Sequence, residues 1–434
     1  MRKSTKFVAL VAVLTIVAAA CSSKTKTPAA AAACVSTKLK GFASGAVAHQ
    51  SATFTAAGTM AQAAKPVVKI GMFGDLTGKD SALVIPIRNA AQLAVDQANA
   101  AGKATDGTPL AVKVQLFAKD NTNHIAATAP PIEQAFIDDS KVVGVIGGAF
   151  SGETDAVGGK FAAAGLTHIS ASATASDLTT HGWPFFRTVV PDSVQGAKMA
   201  DLIAAVGCKK AAVIDDKEPY GKGLGDAVAT ELSAKGVDVS IRQGIADTVT
   251  DYSTLIDTIS AQKPDVVFYG GYYSKAALIL KQLRERGNNA LFTCGDGCAD
   301  KQLVVLAGSS VTNNVFVTCP CTIPVFAAAG TKAATLQSDY KAKFGIDALI
   351  YSSEAYDAAN MFIAAIAHND TNGAVPSRAS ILAFIKALSA FPGVSRNYTF
   401  QPNGELATSS QTINVYPVKS GSLELLGTTD QVTS

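Results

Sequence analysis

Histidine is scarce in this chain of 434 residues: five occur, at His49, His124, His168, His181 and His368. No two of them form an H-x-x-x-H pair that could hold a metal. The sequence also lacks a G-x-S-x-G elbow for a nucleophilic serine and a G-x-x-x-x-G-K phosphate loop. A serine with no base beside it is not a nucleophile, so these absences point away from hydrolysis, metal catalysis and nucleotide chemistry. The expectation is a chain that is not an enzyme and needs no cofactor or metal. Strong charge is missing too. Three of the 37 Lys and Arg lie in the first twenty residues, which leaves 34 against 34 Asp and Glu. A body of zero formal charge has no electrostatic footprint for nucleic acid, and no nucleic-acid partner is expected. Beyond residue 20 no apolar run is long enough to cross a membrane.

What is present begins with a leader. Arg2, Lys3 and Lys6 precede an apolar run from Phe7 to Ala20, and the run ends in small residues at Cys21. A basic start, a short apolar stretch and small residues before a cut describe an export signal peptide over residues 1–20. The "VAAAC" ending resembles the lipobox of bacterial lipoproteins, with Ala18 where leucine is usual, and implies lipidation at Cys21. Residues 21–65 are rich in Ala, Ser, Thr and Lys without a sustained apolar period, and read as a lipid-anchored flexible linker. The expected location is the outer face of the cytoplasmic membrane or the periplasm.

From Val67 short β-branched runs such as "VVKIGMF", "VVGVIGG", "AAVID" and "DVVFYGG" alternate with helix-length, Ala-rich segments. That alternation is the signature of parallel sheets covered by helices on both faces. It breaks at residues 182–196, "GWPFFRTVVPDSVQG", again at 318–324, "TCPCTIP", and near Gly404. The expected fold is α/β, with two doubly wound parallel-sheet lobes and chain passing between them at those breaks. One lobe takes residues 66–190 and 320–412, the other 191–319 and 413–434. Chain that passes repeatedly between two lobes makes a hinge, and the space between them is a natural ligand cleft.

Ligands in open α/β sheets sit beyond the carboxyl ends of the strands. After "VVGVIGG", Ser151 opens a helix, where unpaired N–H groups can hold an anion. It can equally be a plain N-cap. The next strand ends in Ser172, Ala173 and Thr174, a second set of small donors. Tyr220 in "DDKEPYGKG" and Tyr272 in "VVFYGGYYSKAA" start helices after two later strands, and Asp296 sits in "FTCGDGCADK".

The segments "IGMFGDLTG", "AAQLAVDQANAAG", "ISASATASDLT", "FRTVVPDSVQGAKMADL", "DDKEPYGKGL" and "DVVFYGGYY" resemble the leucine/isoleucine/valine-binding proteins of branched-chain amino acid ABC transporters. The resemblance covers about residues 66–425. It implies a type I periplasmic-binding fold with a three-crossover hinge, closing on a branched-chain or related amino acid. It also implies roles: Ser151, Ser172, Ala173 and Thr174 on the ligand carboxylate, Tyr272 and Asp296 on the α-ammonium, and Tyr220 at the cleft. An ABC permease is the implied partner, and the protein is expected as a monomer. The sequence departs from the family at Ser172, where alanine is usual, at Glu153 in a loop commonly made of serines, and in the cysteines around Asp296. Glu153 could tune the site towards a polar or cationic ligand. The alternatives are a ligand-sensing module, or a binder of an amide, urea or aromatic acid.

Besides Cys21, six cysteines remain: Cys34, Cys208, Cys294, Cys298, Cys319 and Cys321. An even set in an exported chain favours disulfides over a zinc site, since C-x3-C and C-x-C are not the usual zinc spacings. Six cysteines allow fifteen connectivities, and the sequence does not choose among them.

Overall fold

The computed structural model describes residues 34–42, 65–246, 248–370 and 373–433. The leader, Cys21 and His49 lie outside these residues, as does nearly all of the expected linker. Ten strands are mutually parallel within two sheets. The first sheet has the order β2-β1-β3-β4-β5 and is built from β1 (Val67–Gly74), β2 (Lys113–Asp120), β3 (Val142–Ile146), β4 (Thr167–Ser170) and β5 (Phe185–Arg187). The second contains β6 (Lys210–Asp215), β7 (Asp238–Gly244), β8 (Val266–Gly270), β9 (Leu291–Cys294) and β10 (Val315–Cys319), in the order β10-β9-β8-β6-β7. Strands β3, β8, β9 and β10 are buried at every residue, as parallel strands covered on both faces must be.

Helices α1 (Ile85–Ala101), α2 (Ala129–Asp138) and α3 (Ser151–Ala163) fill the crossovers of the first sheet. Those of the second sheet are α4 (Asp192–Ala205), α5 (Pro219–Ala234), α6 (Ser253–Gln262), α7 (Tyr273–Glu285) and the short α8 (Gln302–Ala307). After β10 the chain returns to the first sheet as α9 (Lys332–Phe344), α10 (Ser352–Asn369) and α11 (Arg378–Lys386). A two-residue hairpin, β11 (Phe391–Pro392) with β12 (Asn397–Tyr398), follows. Helix α10 packs along α1 and is buried almost all round, a helix inside a core rather than on a surface. The chain then rejoins the second sheet through antiparallel β13 (Asn414–Lys419) beside β10, edged by β14 (Ser422–Leu423). The stretch 182–196, expected as irregular, holds the edge strand β5 and the first turn of α4. Three residues of strand between aromatic and proline positions are too few for a period to show.

The segments linking the two sheets are tied together at one place. Thr188 Oγ1 donates to the Glu354 carbonyl, 3.2 Å, and Thr322 N donates to Glu354 Oε1, 2.8 Å. The Arg396 guanidinium reaches the carbonyls of Pro320 at 2.7 Å and Ser410 at 2.9 Å. Arg187, fully buried, donates from Nε to Glu405 Oε2 at 2.9 Å. Each residue of this set lies in or beside one of the three passages of the chain between sheets.

Cysteine sulfurs lie at bonding distance in three pairs: Cys34 with Cys208, Cys294 with Cys298, and Cys319 with Cys321. Residues 34–42 correct the expectation of a featureless linker up to residue 65. Cys34 and Leu39 are buried, Ser36 N donates to Asn314 Oδ1 at 2.9 Å, and Lys40 N donates to the Val432 carbonyl. The composition of this stretch is linker-like, but a single buried cysteine and leucine suffice to dock it on the second sheet's end.

Candidate ligand-binding site

Strands β3 and β4 are neighbours in the first sheet, and β6, β8 and β9 are consecutive in the second. Their carboxyl ends deliver Ser151 and Ser172 from one side and Tyr220, Tyr272 and Asp296 from the other into one cavity. Leu83, Val84, Ile87 and Phe150 form its apolar wall, and Tyr351 completes it. The free volume is about 10 Å³, room for about one water molecule. Little free space thus remains between the two sets of strand ends.

Among the described residues Asp296 is the only acid in the wall of this cavity, and it is 2% exposed. Tyr220 donates to its Oδ1 at 3.0 Å, and Tyr351 donates to its Oδ2 in a short hydrogen bond. Tyr220 Oη in turn accepts from Gly297 N at 3.0 Å. Burial raises the Asp296 carboxyl above its ordinary range, and the hydrogen bonds from Tyr351 and Tyr220 pull it back down. Glycines on both sides are required by close approach. A Cβ on Gly295 would lie 2.4 Å from Leu224 Cδ2, and one on Gly297 2.5 Å from the Gly271 carbonyl. Tyr272, expected with Asp296 on the α-ammonium, makes no hydrogen bond to Asp296 among the described residues. Tyr272 instead packs its ring on Tyr220, Phe150 and His124, with centroids 5.3, 4.9 and 4.9 Å away.

On the opposite side, Ser151 is the first residue of α3 rather than its N-cap, which is Phe150. Its Oγ accepts from Ala175 N at 3.1 Å, leaving the hydroxyl proton free to donate. Ser172 Oγ donates to the Ala149 carbonyl at 2.6 Å, which joins the two strand ends. Ala173 and Thr174 do not reach the cavity. They are buried behind Ser172, where Ala173 N donates to Ser170 Oγ, and Thr174 faces Asp192. Glu153 corrects another expectation. Its side chain turns into the protein, accepting from Ala149 N at 2.6 Å, Phe150 N at 3.1 Å and Asn121 Nδ2 at 2.6 Å. The bond to Phe150 N is the acidic half of a capping box, so this carboxyl fastens the start of α3 and does not line the cavity.

Four residues here escaped sequence reading. Tyr351 stands in front of α10 at φ 60°, an uncommon conformation for a bulky residue, and reaches Asp296 from the first lobe. Asp192, first residue of α4, is 1% exposed, with the Thr174 hydroxyl beside its carboxyl. Burial and then the Asp296 charge push its carboxyl well above the usual range. Gln195 donates to Thr318 Oγ1 at 3.0 Å and lends a further hydrogen bond to Asp296. His124 stacks on Phe150 at 4.2 Å and meets Asp80 at 3.1 Å. Burial lowers its affinity for a proton, but Asp80 and Glu153 more than offset that. Asp192 stands inside the quoted stretch 182–196, where an acid opening a helix was a readable signal. Tyr351 follows no strand and gave none. Among the described residues no group of His, Cys, Asp and Glu is arranged to hold a metal ion.

Comparison with known proteins places this geometry. A family model described as periplasmic binding protein matches residues 67–422. The chain is 28% identical over 379 residues to the Leu/Ile/Val-binding protein BraC3 of Rhizobium johnstonii, covering 86% of this chain and 97% of that protein. It is 30% identical over 243 residues to an amino acid binding protein of Pseudomonas aeruginosa, covering 56% of this chain and 63% of that one. Among solved structures, the substrate-binding protein LivJ of Streptococcus pneumoniae in complex with isoleucine superposes with a TM-score of 0.72 at 24% identity, over 83% of this chain and 99% of that one. A solute-binding protein of R. palustris in complex with benzoate reaches 0.71 at 18% identity, over 84% and 96%. At these identities the two structures speak for the fold.

Proposed function

The chain belongs to the periplasmic binding protein family, and we propose that it is the extracytoplasmic substrate-binding protein of an ABC importer for a branched-chain or related amino acid. The observation that carries the reading is the division of the cavity: one buried carboxylate on one side, serine and helix-start donors on the other, aliphatic side chains between. A zwitterion leaving water loses hydration at both charged ends, and each end needs a partner. Asp296 takes hydrogen bonds from Tyr220, Tyr351 and Gln195, and its negative charge is the counter-charge for an α-ammonium. Ser151 and the unpaired N–H groups of the first turn of α3 suit a carboxylate. Leu83, Val84, Ile87 and Phe150 suit a branched aliphatic side chain.

A cavity of about 10 Å³ admits no amino acid, so entry goes through opening. We place the hinge at the residues tied to Glu354, with residues 66–190 and 320–412 moving against 191–319 and 413–434. Tyr351 to Asp296 and Tyr273 Oη to the Lys79 carbonyl, 2.8 Å, are bonds that close across the cleft. The three cysteine pairs are disulfides of an oxidising compartment. Lipidation at Cys21 holds the protein beside its permease.

The benzoate-bound neighbour sets the competing reading, an aromatic acid. Benzoate has no ammonium, so it would leave Asp296 buried without a counter-charge. The test is a titration calorimetry panel of leucine, isoleucine, valine and benzoate on the mature chain. Binding of the three amino acids with no benzoate heat is expected. Benzoate binding without amino acid binding would overturn the reading.

A further inference from the structure

A second cavity, of about 650 Å³, shares no lining residue with the first. That size falls within the range of about 300–1,000 Å³ typical of small-molecule sites. Its walls come from both lobes. Ala299 to Val305, around α8, and Gly421 to Leu425, at the β13–β14 hairpin, belong to the second, while Lys341 of α9 and Leu349 and Ile350 before α10 belong to the first. Most of the lining is apolar, and Val305 and Leu425 are exposed at its edge.

One acid is sunk in the wall. Asp300 is 2% exposed; its Oδ1 accepts from Gln302 N at 2.8 Å, and its Oδ2 has no hydrogen-bond partner. Burial pushes this carboxyl up to about 6 against smaller opposing effects from the Gln302 N–H and then Lys301. An unpaired buried carboxylate oxygen is costly unless something compensates it. At the rim Lys341 is already committed to Asp347 at 2.9 Å, and Lys419 pairs with Glu424 at 3.7 Å. Of the three described acids that line the cavity, Asp300 is the one with a buried oxygen that lacks a hydrogen-bond partner.

We propose that this cavity is a second ligand site, for an amphipathic primary amine whose ammonium pairs with Asp300 while its apolar body lies on Val304, Ile323, Phe326 and Leu423. Because both lobes wall it, opening the amino acid cleft changes its shape, and a ligand seated here biases the hinge. That coupling rests on the closing-lobe reading above; the site itself does not.

The experiment is calorimetric titration of the mature chain with 2-phenylethylammonium, and with 2-phenylethanol as the uncharged counterpart. Saturable one-to-one binding of the amine is expected, at least about tenfold tighter than the alcohol, since a charge-assisted hydrogen bond separates the two. Asp300→Asn, which preserves the bond to Gln302 N, should weaken the amine at least tenfold, and Val305→Trp at the exposed rim should do the same by obstruction. Asp296→Asn should leave it unchanged. Absence of saturable binding overturns the proposal. So does loss of amine binding in Asp296→Asn instead of Asp300→Asn, which would put the amine in the amino acid cleft. Leucine titrated with and without saturating amine gives the coupling, which must be reciprocal. Amine binding in a protein that ignores leucine would uphold the second site and sink the amino acid reading.

Discussion

Asp296 and Asp192 are buried carboxyls within electrostatic reach of each other, and their hydrogen bonds separate their roles. Asp296 accepts from two tyrosines, so it keeps a reason to ionise, whereas at Asp192 Thr174 and the Arg187 charge do not offset burial and the neighbouring like charge. Asp296→Asn should therefore weaken leucine binding about tenfold or more, as loss of a charge-assisted bond to the ammonium implies. Asp192→Asn mimics the protonated acid and should stay within about threefold of wild type, well under the 1.4 kcal/mol of a tenfold change. Equal losses in both would mean that the two acids hold the ammonium jointly. The pH dependence follows from the same shift. Because the Asp296 carboxyl is raised, affinity should fall on acidification at a pH above the ordinary aspartate range, as the acid takes a proton. Tyr351→Phe removes one of the donors that favour ionisation and should move that fall to still higher pH. A calorimetric pH series on both proteins reads the displacement, and an unchanged or lowered midpoint would exclude the role given to Tyr351.

At the scale of elements, the loop that presents Asp296 and the segment that precedes the body use cysteine for different ends. Cys294 ends β9 and Cys298 ends the single turn that carries Asp296, only four residues apart. So short a closed loop removes little entropy from the unfolded chain. Cys294→Ser with Cys298→Ser should lower the melting temperature slightly but weaken leucine several-fold, since Asp296 loses its fixed direction. Cys34 and Cys208 are 174 residues apart, and the chain-entropy argument gives such a link about 5 kcal/mol. Replacing that pair by serine should lower the melting temperature markedly and leave affinity alone. Differential scanning calorimetry beside binding titration separates the two cases; the opposite pattern would reverse the assignments.

For the whole molecule, the ties around Glu354 join segments that pass between the two sheets. Burial pushes its carboxyl up to about 7, and the Asp357 carboxyl, one helical turn away, to about 6. Both exceed their unfolded values, so the stability they contribute is complete below the ordinary carboxylate range and is lost as pH rises through about 6 to 7. Arg396, whose charge opposes that shift, should matter most above this window. Arg396→Ala should cost about 1 to 3 kcal/mol more at pH 8 than at pH 5.5, where Glu354 is protonated. Urea unfolding at the two pH values tests it, and an equal loss at both would leave Arg396 with only its bonds to the Pro320 and Ser410 carbonyls.

The alternation of "VVGVIGG" or "DVVFYGG" with Ala-rich helices was enough to give two parallel sheets, because a strand buried on both faces must be apolar along its length and its crossover must be helical. The same order put Ser151, Ser172, Tyr220, Tyr272 and Asp296 at strand ends, the one place where side chains of a parallel sheet converge. Sequence alone settled that much through local chemistry and period. It did not settle which way Glu153 turns, which donors Asp296 takes, or that Ala173 and Thr174 stop short of the cavity. Nor did it show that residues 34–42 dock, that Cys294 faces Cys298, or that Tyr351 arrives from the other lobe. Apart from the Cys294–Cys298 pair and the bonds of Glu153 to Ala149 and Phe150, those depend on contacts between residues tens to hundreds of positions apart, and only the packed structure sets such distances.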